Sequence, residues 1–197
     1  ILPDVAVDGG GGSIAGFVDG NLSKIELADD CMVKLSREIE LGGLGKGYAV
    51  DQMAKFLKDF SGFFINAGGD ILAKGLDFEG KKWKVFFEHP VDVEQVIGFM
   101  EADDLALACT SPSKRKWLDK HHLVNPKTGG PAGEMLAVYT QAGNCLLADS
   151  YATALFVMGY EKARKMVSGF PVEAMLVDVS GEIFRTEGFK GELFSEV

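Results

Sequence analysis

The chain has 197 residues, of which 47% are hydrophobic, and a formal net charge of −9 at pH 7. This length provides one domain with a complete core, and the acidic balance argues against a nucleic-acid-binding surface. No apolar run reaches the roughly 18 residues that a transmembrane helix needs. The three cysteines, Cys31, Cys109 and Cys145, lack metal-ligand spacing and are interpreted as small buried apolar residues.

Residues 1–21 include four consecutive glycines and a serine at positions 9–13, a composition typical of a flexible segment. The remaining residues, 22–197, are predicted to form a single domain. That domain is predicted to open with two short strands, residues 22–27 and 32–35, which an acidic turn joins.

The most distinctive stretch is residues 40–51, with the sequence ELGGLGKGYAVD. Apolar residues follow its glycine cluster at helical spacing from Val50 to about Phe60, so a helix is predicted there. Glycines that open a helix leave main-chain N–H groups exposed at its positive end, which is a site for an anion such as phosphate. The spacing matches neither the P-loop nor the dinucleotide fingerprint. A tight turn into a core helix is the alternative interpretation.

The rest of the chain alternates short apolar runs with turn residues. Strands are predicted at residues 63–66, 83–88, 105–110, 122–125 and 135–142, with a short helix or irregular segment at 93–100. Asp149 or Ser150 is predicted to cap a helix that ends at Gly159, and a second helix follows at residues 161–167. A hairpin formed by residues 174–179 and 182–186 comes last. The pattern predicts an α+β fold, mostly antiparallel sheet with helices packed on it.

Four segments end these elements with small or polar residues: residues 40–51, 66–70 (NAGGD), 121–129 (HHLVNPKTG) and 148–154 (ADSYATA). Together they resemble the ApbE family, the flavin transferases that move FMN from FAD onto a protein. The family patterns are close to D-L-G-G-I-A-K-G-Y-A-V-D, N-x-G-G-D, H-I-I-D-P-R-T-G and A-D-A-x-A-T-A, and this chain follows their order over roughly residues 22–186. The resemblance implies an ApbE-like domain related to the T-fold, with its N-terminal part missing or reduced.

A magnesium site is expected on the predicted helix after residue 148. Asp149 and Thr153 are four residues apart and therefore share one helix face, and carboxylate and hydroxyl oxygens are ligands that Mg²⁺ prefers. The alternative is that Asp149 simply caps the helix. The resemblance implies that Asp149, Thr153 and a main-chain oxygen at Gly43 bind the metal.

Further site residues follow from the resemblance. His122 matches the histidine that the family uses in catalysis, and a neutral imidazole can take a proton from an attacking hydroxyl; a structural hydrogen bond is the alternative. Lys46 matches a position near the flavin or its phosphates and is expected to take part in catalysis with His122; an exposed lysine is the alternative. The implied FAD contacts are Glu40, Lys46, Gly68, Gly69, Asp70, Thr110, Ser111 and Leu123. Two positions depart from the family: Glu40 stands where Asp is usual, and Pro112 replaces a Gly after Thr110-Ser111.

The implied reaction is Mg²⁺-dependent transfer of FMN from FAD to a Thr or Ser hydroxyl of a target protein, such as a subunit of a membrane redox complex, with release of AMP. A FAD pyrophosphatase at the same site, or a flavin-binding domain without transferase activity, are the alternatives. Family members usually carry a further segment that completes the adenosine pocket, so the chain is expected to be a shortened form or a minimal relative. Relatives often work on the outer face of the bacterial inner membrane.

Overall fold

The computed structural model describes residues 25–27, 32–35, 39, 41–92, 94–113, 116–117, 120–125 and 128–194. The predicted flexible segment, residues 1–21, lies outside the described residues, and so does Glu40. The described strands are β1 (Ile25–Leu27), β2 (Val33–Leu35), β3 (Phe63–Ala67), β4 (Asp70–Lys74), β5 (Trp83–Glu88), β6 (Val96–Ala102), β7 (Leu105–Thr110), β8 (Lys116–Trp117), β9 (Lys120–His121), β10 (Met135–Ala142), β11 (Glu173–Asp178), β12 (Ile183–Arg185) and β13 (Glu192–Leu193). The described helices are α1 (Gly45–Phe56), α2 (Cys145–Met158) and α3 (Tyr160–Met166).

A six-stranded antiparallel sheet in the order β12-β11-β10-β7-β4-β3 forms the centre of the structure. Side chains alternate between its two faces. Val138 and Leu176 join a core cluster with residues of α1 and α2. Tyr139 and Met175 join a second cluster with residues of β5 and β6. One face of the sheet is therefore covered by helices and the other by the smaller sheet β13-β6-β5, which confirms the predicted α+β, mostly antiparallel fold.

Helix α2 begins earlier than predicted. It starts at Cys145, and the side chain of Asn144 caps it by accepting a hydrogen bond from the N–H of Leu147 at 2.9 Å. The prediction that Asp149 or Ser150 caps this helix is wrong, because buried apolar residues before Asp149 already belong to the helix. Asp149 therefore lies more than one turn inside α2. Gly159, with φ of 85°, ends the helix as predicted.

Two other predictions are corrected. Residues 93–100 were assigned to a helix or irregular segment, yet β6 forms there because it pairs with β5 on one side and β13 on the other. Residues 122–125 do not form a regular strand; Val124 makes an isolated bridge with Pro131 instead. Strand β4, which was not predicted, returns antiparallel to β3 after a two-residue turn.

None of the helices in the described part of the chain is both long enough and apolar enough to cross a lipid bilayer.

Candidate functional site

The site lies where the start of α1 crosses α2. The two helices approach closely because position 47 has no side chain. A Cβ at Gly47 would lie 2.3 Å from the carbonyl oxygen of Cys145 and 2.8 Å from the Cβ of Asp149. Glycine is therefore required at this position for the observed separation of the helices.

Lys46 connects two buried carboxylates that come from different elements. Its ammonium group donates hydrogen bonds to Oδ2 of Asp70, the first residue of β4, and to Oδ1 of Asp149 at 3.2 Å. The main-chain N–H of Gly47 donates to the other oxygen, Oδ2, of Asp149 at 2.9 Å. Asp70 is 1% exposed and Asp149 is 2% exposed. One positive charge thus faces two buried negative charges at the start of α1.

This arrangement shifts the pKa values of Asp70 and Lys46. Burial raises the pKa of Asp70 to about 6, with a further contribution from the nearby charge of Asp149, although the hydrogen bond from Lys46 acts in the opposite direction. Burial lowers the pKa of Lys46, but its contacts with Asp70 and Asp149 more than offset that effect, so the net shift is upward. The ammonium therefore keeps its charge near neutral pH, while Asp70 is close to its own titration.

Two hydroxyl groups and a glycine main chain complete the cluster. Thr153 lies one turn after Asp149 on α2, and its Oγ1 is 3.3 Å from Oγ1 of Thr110, the last residue of β7. A Cβ at Gly43 would lie 2.9 Å from Cγ2 of Thr153, so the main chain of Gly43 packs directly against that side chain. The structure brings Gly43 and Thr153 into contact, with Asp149 one turn before Thr153 on α2, while metal binding by these residues stays a prediction.

The donor groups of this cluster fit a hard divalent cation. A buried carboxylate and two hydroxyl groups present oxygen atoms, which Mg²⁺ prefers. Among the described residues, no group of three or more His, Cys, Asp or Glu side chains is arranged to hold a metal ion. A cation here would therefore combine the Asp149 carboxylate with hydroxyl, main-chain and substrate oxygens.

Gly68 and Gly69 form the two-residue turn between β3 and β4. Their φ angles are +69° and +104°, which L side chains rarely adopt, and the N–H of Gly69 donates to Oδ1 of Asn66 at 3.0 Å. A Cβ at either glycine would meet no heavy atom within 4 Å. The surface of this turn is therefore open to a ligand.

A cavity of about 320 Å³ lies beside this turn, between the central sheet and the β5–β6 layer. The two turn glycines line it together with Ile71, Cys109 and Tyr139. Asp70 and Ile71 are consecutive residues of β4, so their side chains point to opposite faces of the sheet. The cavity and the Lys46 cluster are thus on opposite faces, with the glycine turn between them.

The segment that contains His122 is attached to α2. The ring of His121 packs edge-on against Phe156 with 6.2 Å between ring centroids, and its Nδ1 accepts a hydrogen bond from the N–H of Leu123 at 3.2 Å. Leu123 is buried in the same core cluster as α2, and His122 itself is half-buried. These contacts give His121 and Leu123 structural roles, while catalysis by His122 and FAD contact by Leu123 stay predictions.

Ser111 is placed in a turn after β7. Its hydroxyl donates to the carbonyl oxygen of Leu136 at 3.0 Å and accepts from the N–H of Ser113 at 3.2 Å. The hydroxyl therefore stabilises the turn, and its predicted contact with FAD stays a prediction.

Comparison with known proteins gives a consistent result. The sequence model of the ApbE family matches residues 17–179. The chain is 29% identical over 156 residues to the FAD:protein FMN transferase of Klebsiella pneumoniae, covering 75% of this chain and 45% of that protein. It is 34% identical over 138 residues to the protein of the same name from Haemophilus influenzae, covering 64% of this chain and 39% of that protein. The chain thus spans about half the length, or less, of these curated relatives.

Solved structures show the same fold. The ApbE protein of Thermotoga maritima superposes with a TM-score of 0.75 at 28% sequence identity, covering 84% of this chain and 57% of that one. The flavin transferase ApbE of Vibrio cholerae superposes with a TM-score of 0.76 at 20% identity, covering 89% of this chain and 59% of that one. The second likeness concerns the fold alone.

Proposed function

Because the chain belongs to the ApbE family, we propose that it binds FAD and transfers FMN to a Thr or Ser hydroxyl of a target protein, releasing AMP. The observation that carries this proposal is the convergence of Lys46, Asp149 and Thr153 at the glycine loop that opens α1. An ammonium group at the positive end of a helix and a buried carboxylate are suited to a diphosphate and its counter-cation. Lys46, 41% exposed, can reach both the carboxylates and a bound phosphate.

Mg²⁺ is the proposed counter-cation, held by Asp149, Thr153 and the main chain at Gly43, with the hydroxyl of Thr110 beside them. When bound, it supplies charge neutralisation for the diphosphate as the phosphoanhydride bond breaks. The N–H of Gly47 binds Oδ2 of Asp149, so a cation would take the place of the Lys46 ammonium at the other carboxylate oxygen. Lys46 would keep its hydrogen bond to Asp70 after losing the one to Asp149.

His122 is the proposed base. Its imidazole takes the proton of the target hydroxyl, whose oxygen forms a bond to the FMN-side phosphorus while the bond to the AMP oxygen breaks. The contacts of His121 and Leu123 with the α2 side of the core support this role, because they fix the neighbouring backbone. The proton moves to His122, and AMP leaves with the electron pair of the broken bond.

The cavity beside the glycine turn is the proposed place for the flavin ring. Its volume of about 320 Å³ suits a planar aromatic ring system, and Phe86 and Val96, which also line it, offer exposed apolar surface there. Because Gly68 and Gly69 lack side chains, a ligand can pass over the end of the sheet between this cavity and the Lys46 cluster. Gly68 and Gly69 are also among the predicted FAD contacts.

The test is incubation of the full chain with FAD and MgCl₂, with and without a peptide that an active family member flavinylates. AMP is measured by chromatography and the peptide by mass spectrometry. The proposal expects AMP together with a mass gain of the peptide. AMP without a mass gain identifies a FAD pyrophosphatase, and FAD binding without AMP identifies a binding domain; both contradict the transferase proposal.

A pair of variants tests the metal set in the same assay. Asp149→Ala is expected to abolish Mg²⁺-dependent AMP release. Asp59→Ala removes an exposed carboxylate near the end of α1 and is the control. Normal turnover by a folded Asp149→Ala protein would refute the role of Asp149.

A further inference from the structure

Asp51 makes a contact between the two helices of the site that the sequence did not predict. It lies in the second turn of α1, and its carboxylate accepts hydrogen bonds from the main-chain N–H groups of Cys145 at 2.8 Å and Leu146 at 2.9 Å. These N–H groups open α2 and have no partners within that helix. A side chain of one helix therefore caps the N-terminus of the other.

The contact is one of three that are evenly spaced along the two helices. Asp51 meets Cys145, Gly47 meets Asp149, and Gly43 meets Thr153. Each step moves back four residues along α1 and the turn that precedes it, where Gly43 lies, and forward four residues along α2. The helices therefore run antiparallel, and one turn of each separates successive contacts. Asp51 holds the end of this series that is farthest from Gly43.

We propose that Asp51 is a positioning residue that sets the register of α1 against α2 and thereby the affinity of the site for a divalent cation. This inference rests on the proposed function, since Gly43, Asp149 and Thr153 form the proposed metal set. A slip of one residue along a helix is about 1.5 Å, enough to break the 2.9 Å bond between Gly47 and Asp149. Asp51 acts through this register and does not touch the cation.

The chain contains a matched control. The side chain of Asn144 also caps α2, by accepting from the N–H of Leu147, but Asn144 adjoins that helix in the chain and makes no tie to α1 through this bond. Loss of the Asn144 cap also destabilises α2. Asp51→Ala and Asn144→Ala therefore separate the register of the two helices from the capping of α2.

The experiment measures Mg²⁺ and Mn²⁺ binding by titration calorimetry and unfolding in urea for each variant of the full chain. Asp51→Ala is expected to bind the cation at least 10-fold more weakly, and Asn144→Ala within about 2-fold of wild type. Asp51→Asn keeps one acceptor oxygen, and its cation affinity is expected to lie between those of the two alanine variants. It also serves as the folded variant if Asp51→Ala does not fold.

Hydrogen exchange of the Gly47 amide gives a second readout that needs no metal. Its protection is expected to fall in Asp51→Ala and to persist in Asn144→Ala, because its bond to Asp149 depends on the register. If wild type binds neither cation, the proposed metal set fails, and the Gly47 amide alone decides the role of Asp51. The inference is overturned if Asp51→Ala and Asn144→Ala show equal protection of the Gly47 amide and, where wild type binds a cation, equal cation affinity.

Discussion

Substitution of Gly47 by alanine is expected to separate α1 from α2 and to disrupt the site. The new Cβ would lie 2.3 Å from the main-chain oxygen of Cys145 and 2.8 Å from the Cβ of Asp149. Neither neighbour is the end of a flexible side chain, so one helix must move by about 1 Å to restore an ordinary contact. That movement lengthens the bonds of Asp149 to both Gly47 and Lys46.

The expected loss can be estimated from opposing effects. Overpacking of this kind costs about 1–3 kcal/mol, while alanine in a helix is more stable than glycine by about 0.5–1 kcal/mol. The net destabilisation should therefore be about 1–2 kcal/mol. Gly45→Ala is the matched control on the same helix, because a Cβ there would meet nothing within 4 Å. Its effect on stability should be neutral or favourable.

Urea denaturation measures the stability of both variants, and calorimetric titration measures their affinity for Mg²⁺. Gly47→Ala should lose both stability and cation affinity, whereas Gly45→Ala should retain both. If Gly47→Ala is as stable as Gly45→Ala and binds the cation as wild type does, the close approach of the helices does not determine the site.

Four further predictions concern single side chains. Lys46→Met should bind Mg²⁺ about 10-fold more tightly, because the ammonium competes for an Asp149 oxygen, and it should bind FAD more weakly. Calorimetry measures both affinities. Lys55→Met is the control and should show neither change, because among the described residues the side chain of Lys55 hydrogen-bonds only to Gln52 on the same helix. Burial raises the pKa of Asp70 from its usual 3.8 to about 6, so its stabilising contribution is complete below pH 4 and lost as the pH rises through 6. The free energy of unfolding of wild type relative to Asp70→Asn should fall by up to about 3 kcal/mol over that range, and a constant difference in urea denaturation would contradict the shift. His122→Ala should slow AMP release with little change in FAD affinity, whereas an equal loss of binding would indicate a structural histidine. Bound FAD should slow the alkylation of Cys109, which lines the cavity, as measured by mass spectrometry. An unchanged rate would contradict the proposal that the flavin ring binds in this cavity.

The sequence predicted best those strands whose local pattern of apolar residues favours the same structure as their packing in the fold. Residues 83–88, 105–110 and 135–142 form β5, β7 and β10 with the predicted bounds, since their apolar and β-branched residues suit a buried sheet. Strand β6 pairs with the preceding strand β5, but its second partner, β13, lies near the other end of the described chain and leaves no local signal. A Cβ at Gly98 would lie 2.1 Å from the carbonyl oxygen of Glu192 in β13, so a glycine that reads locally as a breaker permits a strand contact there.

The start of α2 illustrates the same limit at the site. Asn144 was a local signal for the cap, but two of the N–H groups that begin the helix are satisfied by Asp51, 94 and 95 positions away. A cap supplied by another helix leaves no local pattern near the residues that it serves. The sequence analysis instead predicted the cap at Asp149 or Ser150, further along the chain.

The composition of the site was more predictable than its electrostatics. The spacing of Asp149 and Thr153 was sufficient to place both on one helix face, and the resemblance added Gly43. The bridge from Lys46 to Asp70 and Asp149 joins three separate elements, so its geometry depends on the packing of the whole domain. In that packing, Gly43, Gly47 and Asp51, which are four residues apart, lie against three residues of α2 that are also four apart. The sequence contains both spacings, but only the fold shows which residues face each other. A shift in register would leave every motif intact and still break the hydrogen bond from the Lys46 ammonium to Asp149. The contact between α1 and α2 therefore decides whether these residues come together.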